Sequence, residues 1–208
     1  APLAANLNEL ASSAEGTFIG ELAGKAGAGL RREARGATFN ATAIARRTTQ
    51  GDSLVVPEAV LRGNSGQALA SLARLQVRLG KGGAQVLAGS FSSSGPDLPR
   101  ISGQVRQTDE DGLAVDLAMA EYAAGSSRMI LPRMAVVQKA GRLGFAGSLR
   151  MSGKLPGGSA DNLVMPVRGD WSQAAGLALW RDCARVDFDR LKLASLDLPQ
   201  RSLSLCPP

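Results

Sequence analysis

The sequence predicts a mainly β fold: an elongated, curved antiparallel sheet, gutter-like, of many short amphipathic strands with an N-terminal α-helix. From residue 37 onward, apolar side chains recur at every second position, the period of a strand with one face buried. Gly, Ser, Asn, Asp and Pro interrupt that pattern every ~8–12 residues, the spacing of antiparallel turns. Aromatic residues make up only 4% of the chain against 44% hydrophobic residues. The apolar mass is Leu, Val and Ala, which fills a thin repetitive layer better than a deep core.

Residues 1–36 form the first unit. Leu3, Leu7, Leu10, Ala14, Phe18, Leu22, Ala26 and Leu30 follow spacings of three and four and predict one amphipathic helix over 2–35. Pro2 suits a first helical turn. Arg31, Arg32 and Arg35 place cations in the last turn, and Gly36 supplies a stop. Glycines at 16, 20, 24, 27 and 29 oppose the helix, at about 1 kcal/mol each relative to alanine. Their spacing also lets a helix lie close against another surface. The helix reads either as one packed on the sheet or as an amphipathic lid or membrane-surface helix.

Residues 37–208 form the second unit, one continuous β body. "TFNATAIA", "SLVVPEAVL", "SLARLQVRLG", "AQVLAGSF", "ISGQVRQT", "GLAVDLAMA", "SRMILPRMAVV", "LGFAGSLRMSG", "NLVMPVRG", "GLALW", "RVDFDRLKLASLDL" and "SLSLC" read as successive strands. One face of each is apolar: Leu72, Leu75, Val77 and Leu79; Leu113, Val115, Leu117 and Met119; Met129 and Leu131; Leu143, Phe145, Leu149 and Met151; Leu177 and Leu179. The other face carries Ser, Thr, Arg, Gln or Asp. Pro57, Pro132 and Pro166 fall inside strand-like runs, which assigns them to edges, bulges or strand ends because proline has no N–H for the ladder. "GSFSSSGPDLPR" and "GKLPGGSADN" are the strongest loop signals.

Composition excludes several chemistries. The chain has no histidine, which removes His-based acid–base catalysis, the usual hydrolytic triad and most zinc sites. The glycine-bearing stretches lack the order of a phosphate-binding loop. "TDEDG" at 108–112 reads as an acidic hairpin turn rather than a calcium loop, which needs ligands at alternate positions and a distal Glu. A Ser–Lys hydrolase is the catalytic alternative, and no sequence motif marks one. No enzyme activity and no cofactor are expected. The formal charge of +6 is carried by scattered Arg without interleaved aromatics, so no nucleic-acid surface is expected.

Both cysteines, Cys183 and Cys206, lie near the end of the chain. Their paired count fits one disulfide and an oxidising compartment; the alternative is two buried thiols in a reducing one. No run reaches the ~18–20 apolar residues that span a bilayer, and the N-terminus lacks the basic start of a signal peptide. The chain reads as a mature or excised segment whose anchor or export signal lies outside it.

Over residues 85–208 the order of "GPDLPRISGQV", "LAMAEYAAGSSRMILPRMAV", "LRMSGKLPGGSADNLVMPVRGDW" and "CARVDFDRLKLASLDLPQRSLSLCP" resembles the YdbH-like proteins of Gram-negative bacteria, in the wider AsmA/TamB group of bridge-like lipid carriers. The likeness is most specific in L-P-G-G-x4-L-x2-P-x2-G-x-W at 155–171 and in the C-terminal L-x-L-C-P. It implies a periplasmic segment of a much larger polypeptide, anchored in the inner membrane by a helix absent from this chain. It also implies an apolar β-groove for phospholipid acyl chains, and in some members a small outer-membrane lipoprotein as partner. The groove candidates are Leu113, Val115, Leu117, Met119, Met129, Leu131, Leu143, Phe145, Leu149, Met151, Leu177 and Leu179. The competing reading is a non-catalytic scaffold of the cell envelope that pairs its edges with partner strands.

Overall fold

The structure, a computed structural model, describes residues 2–48, 51–80, 83–108 and 112–207. Asp109, Glu110 and Asp111 of the acidic turn lie outside the described residues, as does the side chain of Leu3. Among these residues two helices, α1 (Pro2–Ser13) and α2 (Phe18–Ala34), precede twelve strands. These are β1 (Thr38–Thr48), β2 (Gly51–Arg62), β3 (Ala68–Gly80), β4 (Gly83–Ser93), β5 (Ile101–Gln107) and β6 (Leu113–Ala124). They continue with β7 (Ser127–Lys139), β8 (Arg142–Leu155), β9 (Gly158–Ser172), β10 (Gly176–Leu179), β11 (Ala184–Leu193) and β12 (Leu196–Leu205). All twelve join one open, curved antiparallel sheet in the order β1 through β9, then β11 and β12, with β10 paired to β9 off this path.

The N-terminal unit is a helical hairpin, not the single helix over 2–35 that the apolar stripe predicts. The stripe is continuous in sequence, but Gly16 adopts φ +76° and turns the chain. Thr17 then caps α2: its hydroxyl accepts from the Gly20 N–H at 3.4 Å and donates to the Ala14 carbonyl at 2.6 Å. The glycines explain the pairing. A Cβ on Gly20 would collide with the Ala14 carbonyl oxygen, and one on Gly27 would sit 2.9 Å from the Asn8 side chain. The close surface that the glycine spacing calls for is α1 at Gly24 and Gly27 and the loop after β4 at Gly29.

The β-turns follow local chemistry. Pro156–Gly157 joins β8 to β9, with Gly157 at φ +74°, the Pro-then-Gly pattern of a type II turn. The loop signal "GKLPGGSADN" thus contracts to two residues, and most of it is strand. Ala140 (φ 49°) and Gly141 (φ 74°) join β7 to β8 with both turn residues left-handed, as a hairpin with right-handed twist requires. "GSFSSSGPDLPR" does contain a loop, between Ser93 and Ile101.

The pairing register slips within the strands at Thr42/Ile44, Ala73/Gln76, Leu117/Met119/Tyr122, Ile130/Arg133 and Met151/Gly153. Each slip adds a bulge, which bends the strand and increases its twist, and together they curl the sheet. The prolines sit where the ladder can spare them. Pro57 and Pro132 lie in two of these bulges. Pro166 pairs with Ser148 on one flank and lies, on the other, between the β9 residues that pair with β10 and those that pair with β11.

The core forms where α2 meets the sheet. Phe18, Leu22 and Ala26 pack with Met119, Tyr122, Met151, Ala160, Leu163, Val186 and Phe188, the last only 2% exposed. Burying a side chain of this size contributes about 1.5–3 kcal/mol.

Candidate functional site: an apolar sheet face

Registered rows place every groove candidate on one face. Leu113, Gln138 and Leu143 lie in line across β6, β7 and β8, and Trp171 and Leu177 continue the row through β9 and β10. The next row holds Val105, Val115, Val136, Phe145, Gly169 and Leu179. Leu117 opposes Met134, and Met119 opposes both Ile101 and Leu131. Leu149 opposes Met165, and Met151 opposes both Met129 and Leu163. The alternate positions, including Gln104, Arg106, Asp116, Arg133, Ser148, Arg150 and Arg168, form a polar face, where Asp116 bridges Arg106 (3.5 Å) and Arg133 (3.4 Å).

The candidates divide into a covered and an open group. Met119 and Met151 are buried, with Met129, Leu131 and Leu149 packed against the same core. Leu113, Val115, Leu117, Leu143 and Phe145 are half-buried, Leu179 is exposed, and Leu177 is 60% exposed. The face extends beyond them. Phe39, Leu61, Leu72 and Phe91 line an open hollow of about 450 Å3 near the β1 edge, and Val186, Leu203 and Leu205 continue the face onto β11 and β12. Strict alternation misses part of this set because bulges change which parity faces inward. Arg74 (φ 54°) is such a switch: Leu72 precedes it on even parity, and Leu75, Val77 and Leu79 follow on odd.

Helix α2 covers one end of the face by running across the hairpin turns. A 17-residue helix is ~25 Å long at 1.5 Å per residue. Five interstrand steps of ~4.8 Å, from β3 to β8, span ~24 Å. One stripe of α2 meets a turn, a loop or the end of a strand at nearly every turn of helix. Glu33 accepts from the Ser65 N–H (3.1 Å) and hydroxyl (2.7 Å) between β2 and β3. Gly29 faces Pro96 and Asp97 between β4 and β5. Lys25 donates to the Ala123 carbonyl (2.8 Å), Glu21 faces Gly125, and Phe18 faces Gly153.

Asp97, at φ +60°, ties this end together. Its carboxylate pairs with Arg32 and with Lys25 (3.7 Å), and its carbonyl accepts from the Tyr122 hydroxyl at 2.7 Å. Burial first, and the Asp97 charge second, push the Tyr122 phenol up to about 12. These charges hold the helix to the sheet; among the described residues, no group of three or more His, Cys, Asp or Glu converges as a metal site. No helix among the described residues is long and apolar enough to cross a membrane.

The cysteines form a disulfide, with a Cα–Cα distance of 4.0 Å. It clips the β11–β12 hairpin one residue beyond its outermost pair, Ala184 and Leu205. This is the end of the sheet away from α2. No family model, no curated protein and no solved structure matches this chain.

Proposed function

We propose that this chain is a periplasmic segment of a larger YdbH-like protein that carries phospholipid acyl chains between the inner and outer membranes along its apolar β-face. The observation supporting this reading is that one apolar face continues across a twelve-stranded open sheet, and no second sheet packs over it among the described residues. A sandwich would bury such a face against a partner layer. Here a diacyl lipid would remove it from water, at ~25 cal/mol per Å2 of apolar area. The disulfide fits an oxidising compartment. On this reading the polypeptide is anchored in the inner membrane by a segment outside residues 1–208.

A photocrosslinking amino acid tests the proposal in the cell envelope of a Gram-negative host. At Phe145, on the apolar face, it captures phospholipid; at Ala146, on the opposite face, it does not. Equal capture at both positions, or none at Phe145, overturns the reading.

A scaffold role draws on a separate observation: β1 and β12 terminate the sheet, so each offers a flank with unpaired backbone groups. Further strands of the same polypeptide, or of a small lipoprotein, would add there and lengthen the trough. The two roles are compatible.

A further inference from the structure

The sheet contains a slit. Strand β9 is paired with β11 over its first half and with β10 over its last four residues, and its residues 165–168 fall between the two. The segment after β10 closes the gap only on one side. Trp180, at φ +44°, donates its backbone N–H to the Arg168 carbonyl at 3.1 Å and its indole N–H to the Pro166 carbonyl at 2.8 Å. Those bonds satisfy carbonyls that a missing strand would have met. What remains is a cavity of about 340 Å3 lined by Met165, Leu179, Trp180, Ala184, Val186 and Leu205. Cys206 and Pro207 complete the lining, and the disulfide ties that wall to Cys183.

We infer that this slit binds the hydrocarbon end of one acyl chain. The inference rests on the reading of the apolar face as an acyl-chain carrier and assigns a discrete site within it. The lining side chains are apolar, and the indole N–H of Trp180 is already bonded, which favours a hydrocarbon ligand over a polar one. A pocket with such an apolar lining favours hydrocarbon over water. Met165 pairs with Leu149 and Val186 with Leu203, all on the apolar face, so the slit opens onto the trough. A tail lying in the trough can therefore turn its end into the sheet while the headgroup stays outside.

The chain has two tryptophans, which makes the test direct. In Trp171→Phe, Trp180 reports the slit; in Trp180→Phe, Trp171 reports the open trough. Two probes are added separately: an ω-brominated medium-chain fatty acid below its micelle concentration, and vesicles of phosphatidylethanolamine brominated near the chain end. Bromine quenches only on close approach. The expected result is saturable loss of most Trp180 emission with at least one probe, at one ligand per chain. Quenching by the free acid alone identifies a free fatty acid as the source, and quenching by the vesicles identifies a phospholipid tail. Filling the slit with Ala184→Leu weakens binding by about tenfold or more. Quenching of Trp171 but not Trp180 overturns the slit and leaves the trough standing. Quenching of Trp180 alone supports the slit and removes support for the trough. Quenching of neither overturns both. The measurement on the unfilled slit stands by itself if Ala184→Leu fails to fold.

Discussion

At the residue scale, Tyr122 offers the cleanest readout because it is the only tyrosine in the chain. Its phenol loses the proton near 12 in the fold and near the ordinary 10 when unfolded. The folded value is the higher one, so its contribution to stability is complete below about pH 10 and fades as pH rises from 10 to 12. Ultraviolet titration of the phenolate should show the displaced midpoint, and Tyr122→Phe should remove both the signal and that loss of stability. Gly29 is a second sensitive position. A Cβ there would lie 2.9 Å from the Pro96 carbonyl oxygen, so Gly29→Val should cost about 1–3 kcal/mol, read as a lower denaturation midpoint. The glycine spacing exposed the close approach in the sequence, but not its partner. Glycine announces that something comes near; only the fold says what.

At the element scale, alternation located most strands, while two features escaped it. The break between α1 and α2 lies inside an unbroken apolar stripe, because Ala14 and Phe18 keep helical spacing on either side of Gly16 and Thr17. The legible signal was local: a glycine followed by a hydroxyl residue just before a fresh apolar run. The second is the change of face within strands. Val186 and Phe188 occupy one parity of β11 and Leu191 the other, yet all belong to one core. The switch lies opposite Asn162, whose φ of 48° and bond to Asp189 at 3.1 Å mark the irregularity. A list of alternating residues cannot show where parity flips, since that depends on the neighbouring strand. The disulfide acts on the hairpin that carries this switch. Its Cys183–Cys206 separation of 23 residues corresponds to about 3 kcal/mol of loop-closure stabilisation. Reduction, or Cys206→Ser, should lower the melting temperature accordingly, as a calorimetric scan would register; an unchanged melting temperature contradicts it.

At the scale of the whole molecule, the covered core and the open rows occupy different parts of one face. Met151→Glu places a carboxylate in the covered core and should cost more than ~3 kcal/mol in chemical denaturation. Leu143→Glu lies in the half-buried rows and should cost under ~1.5 kcal/mol while lowering uptake of a brominated lipid. Similar losses at both sites would mean that the face is closed throughout. The sequence made the face visible, but not whether it stays open, because periodicity records which side is apolar and not what covers it. The covering helix has a further consequence. From β1 to β9 the strands form a plain meander, so the sheet can gain or lose length only by whole hairpins, in increments of ~10 Å, if later strands are to keep their direction. Helix α2 is a rigid ruler laid across that meander. A hairpin deleted beneath it, such as β6–β7, would leave its anchoring residues out of step with the turns. Beyond the last turn it touches, the sheet is free of that measure, and growth past β12 costs the helix nothing. The part of the sheet beneath α2 is thus fixed in length, and the part beyond β8 is free of that constraint.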